Sequence, residues 1–203
     1  MKKQIFIVHG GEAHRTYEEY LEFLKNYKIN LDKIKNGGWK DHLQETLGDD
    51  YEIIFPRMEN YHNAKYSEWK IWFEKFFPFL RDDVILIGGS LGGIFLAKYL
   101  SENNFPVKIK AAFLIAAPYD DKERGDIYYT LGDFILPDSL DSFSKQVEKI
   151  FLYHSQDDLM VPFVDLGKYA QKLPKAEKVI FKDKGHFNLK EFPEFVEKLK
   201  SIE

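Results

Sequence analysis

The sequence, 203 residues long, contains no cysteine, which excludes disulfide bonds, cysteine-ligated metals and a cysteine nucleophile. It also lacks a long apolar run near its amino terminus. The apolar residues 5–8 stop at His9, so this segment is shorter than the core of a signal peptide or a membrane span. We therefore expect a cytoplasmic protein that has no membrane partner.

An excess of positive charge is missing as well. The formal net charge is −4, and 44% of the residues are hydrophobic and 31% charged, which is typical of a globular protein. Nucleic acid is not an expected partner, because its phosphates attract basic surfaces. The length fits a single domain over residues 1–203 with one main site.

Short apolar segments predict six β-strands. They do not alternate with polar residues, so we expect a sheet that is covered on both faces. The predicted strands are residues 4–8, 51–55, 84–88, 109–117, 149–154 and 178–181. Segments with helical spacing lie at residues 16–27, 39–47, 66–80, 91–101, 163–173 and 193–201. This alternation favours a mostly parallel sheet in a three-layer α/β sandwich.

Two segments are longer than ordinary connections between a strand and a helix. Residues 28–50 are expected to carry an extra helix. Residues 118–146 leave the sheet at the carboxyl end of the fourth predicted strand, where ligands bind in open α/β sheets. Because this second segment is rich in Tyr and Phe, we interpret it as a lid or pocket wall, with plain packing as the alternative.

A glycine-rich motif follows the third predicted strand. Gly88, Ser90 and Gly92 form the pattern G-x-S-x-G, which is typical of a nucleophile elbow. Small neighbours are needed there, because the serine lies in a sharp, strained turn between a strand and a helix. We interpret Ser90 as a nucleophile; an idle serine in a glycine-rich turn is the alternative.

A serine nucleophile needs a base, and His186 is the best placed of the six histidines. It follows the last predicted strand, and Gly185 before it lets the loop turn back. His9 and His154 end earlier strands, and we interpret His9 as a structural residue or part of an oxyanion loop. The chain order of serine, acid and histidine favours His186 as the base.

The acid is expected in the loop after the fifth predicted strand, which offers Asp157 and Asp158. We prefer Asp158, since Asp157 could cap the following helix or be solvated. The carboxylate would hold the imidazole in one tautomer and stabilise the imidazolium that forms during attack. Asp120 and Asp121, which follow the fourth strand, remain alternatives.

An oxyanion formed at the serine would need backbone N–H donors. Leu91, the residue after the nucleophile, is expected to supply one of them. The loop after the first strand contains two glycines, and we favour the N–H of Gly11 as the second donor, with Glu12 as the next choice. A glycine-rich strand exit without a ligand is the alternative.

Four motifs together resemble the α/β-hydrolase fold: HGG, GGSLGG, HSQDDLMVP and GHF, after the first, third, fifth and sixth strands. Residues 55–69, FPRMENYHNAKYSEW, are similar to a segment of the compact serine hydrolases of the retinoblastoma-binding protein nine type. The resemblance implies a minimal α/β-hydrolase core with sheet order 2-1-3-4-5-6. It carries Ser90, Asp158 and His186 over as the catalytic triad, and residues 28–50 and 118–146 look like insertions.

These features predict a carboxylesterase-like serine hydrolase that acts on a small acyl substrate. It would cleave a carboxylic ester, or an amide or thioester, through an acyl-enzyme. No cofactor is expected, because the sequence has neither an H-E-x-x-H metal motif nor the glycine spacing of a dinucleotide site. A non-catalytic binding or scaffold protein on the same fold is the alternative function.

Aromatic residues near the predicted strand ends could line an apolar acyl pocket, or they could belong to the core. Because the predicted lid is small, short acyl or aryl esters are the expected substrates. The residues concerned are Tyr119, Tyr128, Tyr129, Phe134, Phe163 and Phe187.

Overall fold

A parallel β-sheet forms the centre of the computed structural model, which describes residues 2–122 and 130–202. The strands are Lys3–Val8 (β1), Tyr51–Ile54 (β2), Val84–Gly89 (β3), Ile109–Ile115 (β4), Val147–Ser155 (β5) and Glu177–Phe181 (β6). Their order is β2-β1-β3-β4-β5-β6, and every neighbouring pair is parallel. The predicted α/β class and strand order are confirmed.

Helices connect the strands and cover both faces of the sheet. They are Tyr17–Asn26 (α1), Leu31–Asn36 (α2), Leu43–Leu47 (α3), Tyr66–Glu74 (α4), Leu91–Glu102 (α5), Asp141–Gln146 (α6), Val164–Lys172 (α7) and Pro193–Lys200 (α8). No helix in residues 2–122 and 130–202 is long and apolar enough to cross a membrane.

Three helical features differ from the sequence-based expectation. The helix predicted over residues 39–47 begins only at Leu43. The helix predicted over residues 66–80 ends at Glu74 and is followed by a separate 3-10 turn at Phe77–Phe79. Pro78 explains the break, because proline has no N–H to donate and its ring clashes with the preceding turn of an α-helix. The short helix α6 was not predicted, and it lies within the long segment 118–146.

The two faces of the sheet bury alternate residues of the inner strands. On β1, Phe6 and Val8 belong to one apolar cluster, while Ile5 and Ile7 belong to the other. Residues from α4, α5, α6 and α7 complete the first cluster, and residues from α3 and α8 complete the second. Because both faces are covered, the central strand β3 is buried along its whole length, as expected for a parallel sheet, whereas the edge strand β6 is largely exposed.

The strand order places a crevice at the carboxyl edge of the sheet. The chain runs from β1 to its outer neighbour β2 and then crosses to β3 on the opposite side of β1. The connections after β1 and β3 therefore diverge, and ligands bind at such a switch point in open α/β sheets. The loops that follow β1, β3, β5 and β6 all lie at this edge.

The close approach of α5 to β1 leads to a test of stability. A Cβ on Gly92 would overlap the backbone carbonyls of Val8 and His9, whereas a Cβ on the exposed Gly167 of α7 would meet nothing within 4 Å. We expect Gly92→Ala to lower the free energy of unfolding by about 3 kcal/mol or more. The control Gly167→Ala should raise it by about 0.5–1 kcal/mol. Urea unfolding measures both, and equal effects would contradict the packing described.

Candidate active site

Ser90 occupies a strained turn between β3 and α5. Its φ and ψ are 53° and −123°, in a region that residues with a side chain rarely adopt. The Ser90 N–H donates to the carbonyl of Ile115 at 2.8 Å, and its own carbonyl accepts from the N–H of Gly93 at 2.8 Å. These two hydrogen bonds hold the strained residue in place at the carboxyl edge of the sheet.

The glycines of the motif are required by close packing. A Cβ on Gly88 would lie 2.5 Å from the carbonyl oxygen of Gly92, and a Cβ on Gly93 would lie 2.5 Å from the Cβ of Ala117. Such distances are well below van der Waals contact, so any larger residue would push α5 away from the sheet. The pattern G-x-S-x-G is thus explained by the turn itself.

Asp158 and His186 form a hydrogen-bonded pair. The Nδ1 atom of His186 lies 2.8 Å from Oδ2 of Asp158, whose side chain is completely buried. The other carboxylate oxygen, Oδ1, accepts from the N–H groups of Met160 at 2.8 Å and Val161 at 3.0 Å. Both oxygens of the buried carboxylate therefore have donors.

The environment keeps Asp158 ionised. Burial alone would raise the pKa of this carboxyl group, but the hydrogen bond from His186 and the N–H groups of Val161 and Met160 outweigh it and lower the pKa. A charged Asp158 fixes the proton of His186 on Nδ1 and leaves Nε2 as an acceptor. His154 lies nearby, with Nε2 3.8 Å from Oδ2, but burial lowers the pKa of His154 and disfavours its charged form.

The Ser90 hydroxyl makes no hydrogen bond within residues 2–122 and 130–202, so a direct contact with His186 is not formed here. Hydrogen bonds of this kind are often long without substrate and tighten when it binds. The structure thus brings the predicted acid and base together, and it places the predicted nucleophile at the same edge of the sheet.

The neighbouring carboxylate, Asp157, has neither of the two roles expected from the sequence. It neither caps α7 nor is merely solvated. Instead, its Oδ1 atom accepts from the Ser155 hydroxyl and from the N–H of Gly185 at 2.9 Å. The Ser155 hydroxyl in turn accepts from the N–H of Lys184 at 3.0 Å. Asp157 and Ser155 therefore tie the loop that carries His186 to the end of β5.

The alternative acids Asp120 and Asp121 bind other groups. Asp120 accepts from the ammonium group of Lys168 at 3.0 Å. Asp121 accepts from the N–H of Leu131 at 3.0 Å. Both carboxylates hold the segment after β4, whereas the Nδ1 atom of His186 is bonded to Asp158.

The loop after β1 packs against the nucleophile turn. A Cβ on Gly10 would lie 3.1 Å from the Cβ of Ser90. The N–H of Glu12 already donates to the carbonyl of Tyr61 at 2.8 Å, so it is not available for an oxyanion. Gly11 N–H makes no hydrogen bond to the described part of the chain. Of the two N–H groups predicted as candidates, only that of Gly11 is therefore unpaired within the described part of the chain.

His9 is a structural residue of this loop. Its Nε2 atom accepts from the N–H of Met58 at 2.8 Å, so Nδ1 carries the proton and donates to the carbonyl of Gly10. Burial lowers the pKa of His9 to about 4, which keeps the ring neutral near pH 7. The ring also packs edge-on against Tyr61 and Trp69. His9 therefore fixes the Gly10–Gly11 peptide in one orientation.

The segment between α2 and α3 braces the loop of His186, which sequence reasoning missed. The indole N–H of the buried Trp39 donates to the carbonyl of Phe187 at 3.1 Å, and its backbone N–H donates to the carbonyl of Leu189 at 3.1 Å. Phe187 has a φ of 55°, so this loop needs external support. The one feature of the sequence that could have indicated this role is a tryptophan in an otherwise polar segment.

The aromatic residues proposed for an acyl pocket divide into different groups. Phe134 and Phe187 are buried in the two apolar clusters, and Tyr119 packs against Tyr169 with ring centroids 5.0 Å apart. Phe163 contacts the ring of His154. Tyr128 and Tyr129 belong to residues 123–129 of the predicted lid, which lie outside the described residues. In the rest of the chain, no cluster of three metal-binding side chains occurs.

Comparison with known proteins agrees with this geometry. The family model described as serine hydrolase matches residues 31–200, and the chain belongs to that family. Together with the fold, this makes the protein a serine hydrolase of the α/β-hydrolase superfamily and confirms the resemblance drawn from the sequence. No curated protein is significantly similar in sequence.

Solved structures share the fold at low sequence identity. The ydeN gene product of Bacillus subtilis is 17% identical with a TM-score of 0.72, over 99% of this chain and 98% of that one. A lipase-esterase related protein from Clostridium acetobutylicum is 14% identical with a TM-score of 0.61, over 99% and 94%. The esterase EaEST from Exiguobacterium antarcticum is 16% identical with a TM-score of 0.59, over 98% and 91%.

The bracing by Trp39 can be tested with Trp39→Phe, which removes the indole N–H and keeps a large ring. We expect kcat for an ester to fall about tenfold with little change in KM, because the loop of His186 loses a support. Trp72→Phe is the matched control, since it removes an indole N–H that bonds the carbonyl of Arg57. Both variants should lose about 1 kcal/mol of stability. An unchanged kcat in folded Trp39→Phe would contradict a positioning role.

Proposed function

We propose that the protein hydrolyses a small carboxylic ester through an acyl-enzyme formed on Ser90. The observation that carries the proposal is the buried Asp158–His186 hydrogen bond at the sheet edge where Ser90 occupies its strained turn. A serine hydroxyl becomes a useful nucleophile only when a base takes its proton. His186 has the tautomer for that task, because its Nδ1–H is directed at Asp158.

In the proposed first step, Ser90 Oγ attacks the ester carbonyl while its proton moves to Nε2 of His186. The C=O double bond becomes a C–O⁻ single bond, and the N–H groups of Leu91 and Gly11 stabilise this oxyanion. Leu91 is the first residue of α5, so its N–H has no acceptor within the helix. When the tetrahedral intermediate collapses, the imidazolium of His186 protonates the leaving alcohol.

The second step releases the acid. Water attacks the acyl-enzyme and gives a proton to His186, and the bond between the acyl carbon and Ser90 Oγ then breaks as that oxygen regains the proton. Throughout both steps Asp158 stays ionised and stabilises the imidazolium. The lowered pKa of Asp158 supports this role.

A fluorophosphonate probe tests the nucleophile, because it reacts with activated serines. We expect the wild type to be labelled and Ser90→Ala to be unlabelled and at least about a thousandfold slower on 4-nitrophenyl acetate. Ser101→Ala is the control, since the Ser101 hydroxyl bonds the carbonyl of Ala97 inside α5. A folded wild type that is neither labelled nor active would favour a non-catalytic binding protein and refute the proposal.

The acid is tested by comparing Asp158→Asn with Asp157→Asn. The first change removes the charge that orients His186 and stabilises its protonated form, so we expect kcat to fall by about a thousandfold or more. The second weakens only the hydrogen bonds from Ser155 and Gly185, which tie the loop of His186 to the end of β5, and a loss of about tenfold or less is expected. Steady-state kinetics on the same ester measures both. Equal losses, or a larger loss in Asp157→Asn, would reject the assignment of Asp158.

A further inference from the structure

Helix α1 carries an exposed row of apolar side chains. Tyr17, Leu21 and Leu24 are spaced by four and three residues, so they lie on one face of the helix. Their exposed fractions are 62%, 38% and 43%, and no residue of α1 is fully buried by the part of the chain that the structure describes. Single exposed apolar residues are common, whereas a row of them on one helix face is typical of an interaction surface. We call these three side chains the outer stripe.

A hydrogen bond and ring contacts fix the orientation of α1. At its start, the Thr16 hydroxyl accepts from the N–H of Glu19 at 3.1 Å, which is the arrangement of a helix N-cap. On its inner face, the rings of Tyr20 and Phe23 pack against His14, with ring centroids 5.7 Å and 5.1 Å from that of the imidazole. With these contacts made, the outer stripe remains exposed.

Opposite charges flank the outer stripe on one side. Each residue of an α-helix turns the chain by about 100°, so Glu18 and Lys25 both lie about 80–100° around the helix axis from Tyr17. They are about 10 Å apart along the axis, on either side of Leu21. Lys25 pairs with Glu22 at 3.2 Å, but its side chain is 72% exposed and its ammonium group has three N–H donors. This ammonium group can therefore bind a second carboxylate.

A two-fold axis between two copies would match these charges. If the axis is perpendicular to the plane of the two helices and level with the Leu21–Glu22 peptide bond, the α1 helices run antiparallel with their outer stripes in contact. The rotation keeps the charged flank of both helices on the same side of the pair. Because Glu18 and Lys25 lie equally far from this axis, the Glu18 carboxylate of each copy meets the Lys25 ammonium group of the other. The surface is thus complementary to itself, as a two-fold interface requires.

We propose that two copies of the chain associate through α1, with the outer stripes packed antiparallel and two Glu18–Lys25 ion pairs beside them. This inference is independent of the proposed function of Ser90. A stable interface buries about 1,200 Å² or more in total, so side chains outside α1 must contribute as well. The chain that follows α1 supplies three exposed apolar residues, Ile29, Leu31 and Ile34, at 69%, 63% and 70%.

The charge of α1 favours a second copy over a membrane surface as the occupant. A helix that lies on a membrane usually has Lys and Arg on its polar face, which attract anionic lipids. The polar face of α1 instead has three carboxylates and one ammonium group, those of Glu18, Glu19, Glu22 and Lys25. An anionic membrane would repel this face, whereas a second copy provides opposite charges for Glu18 and Lys25.

The oligomeric state in solution tests the proposal. We expect sedimentation velocity to show a mass that rises from 24.0 kDa toward twice that value as the concentration increases through about 1–100 µM. Leu21→Lys should raise the Kd at least about tenfold, because each copy then places a charge in the apolar centre of the contact. Ile71→Lys is the matched control, since Ile71 is 62% exposed on α4, and it should leave the Kd unchanged.

Charge reversal tests the antiparallel arrangement. Glu18→Lys alone sets ammonium groups against each other in the dimer, and Lys25→Glu alone sets carboxylates against each other. Each variant should therefore associate at least about tenfold more weakly than the wild type. An equal mixture of the two variants should regain most of the wild-type affinity, because both ion pairs then form between opposite charges. Circular dichroism checks that the variants are folded.

Several results would overturn the inference: a wild type that stays monomeric over this range, equal effects of Leu21→Lys and Ile71→Lys on the Kd, or a mixture that associates no better than its two components. A monomer that binds vesicles of phosphatidylcholine and phosphatidylglycerol through the outer stripe would identify a membrane as the occupant instead. If Leu21→Lys does not fold, the mixture decides, because Glu18 and Lys25 are both exposed.

Discussion

The contact between the first turn of α5 and the end of β1 is the constraint on which the site depends. Because Gly92 has no side chain, the helix lies directly against the backbone carbonyls of Val8 and His9. This approach forces the sharp turn at Ser90 and brings Gly10 against the nucleophile. One backbone contact therefore sets both the exposure of the serine hydroxyl and the distance to the glycine loop. The positive φ of Ser90 costs about 1–3 kcal/mol, which the surrounding packing offsets.

The Asp158–His186 pair depends on the register of two other strands. Ser155, the last residue of β5, is paired with Phe181, the last residue of β6, and the N–H of Gln156 bonds the Phe181 carbonyl. The loops that leave these two strands therefore start side by side. Parallel pairing thus brings Asp158 and His186 together, although 28 residues separate them in the chain.

Local patterns carried most of what could be predicted from the sequence. Apolar runs gave the strands, and the glycines around Ser90 indicated the elbow, because both signals lie within a few consecutive residues. The roles of Trp39 and Asp157 could not be predicted in this way. Trp39 bonds a carbonyl 148 residues away along the chain. Asp157, which follows β5, bonds the N–H of Gly185, which follows the neighbouring strand β6. Such contacts depend on how distant loops meet, and no local pattern encodes that.

The segment between α2 and α3 contacts two parts of the candidate site. Trp39 bonds the His186 loop, and the side chain of the adjacent Lys40 extends to Gly89, the residue before Ser90. Both contacts therefore come from one short turn. The turn itself depends on the bonds from Trp39 to Phe187 and Leu189. Residues 28–50, which looked inserted in the sequence, therefore contact both the His186 loop and the end of β3.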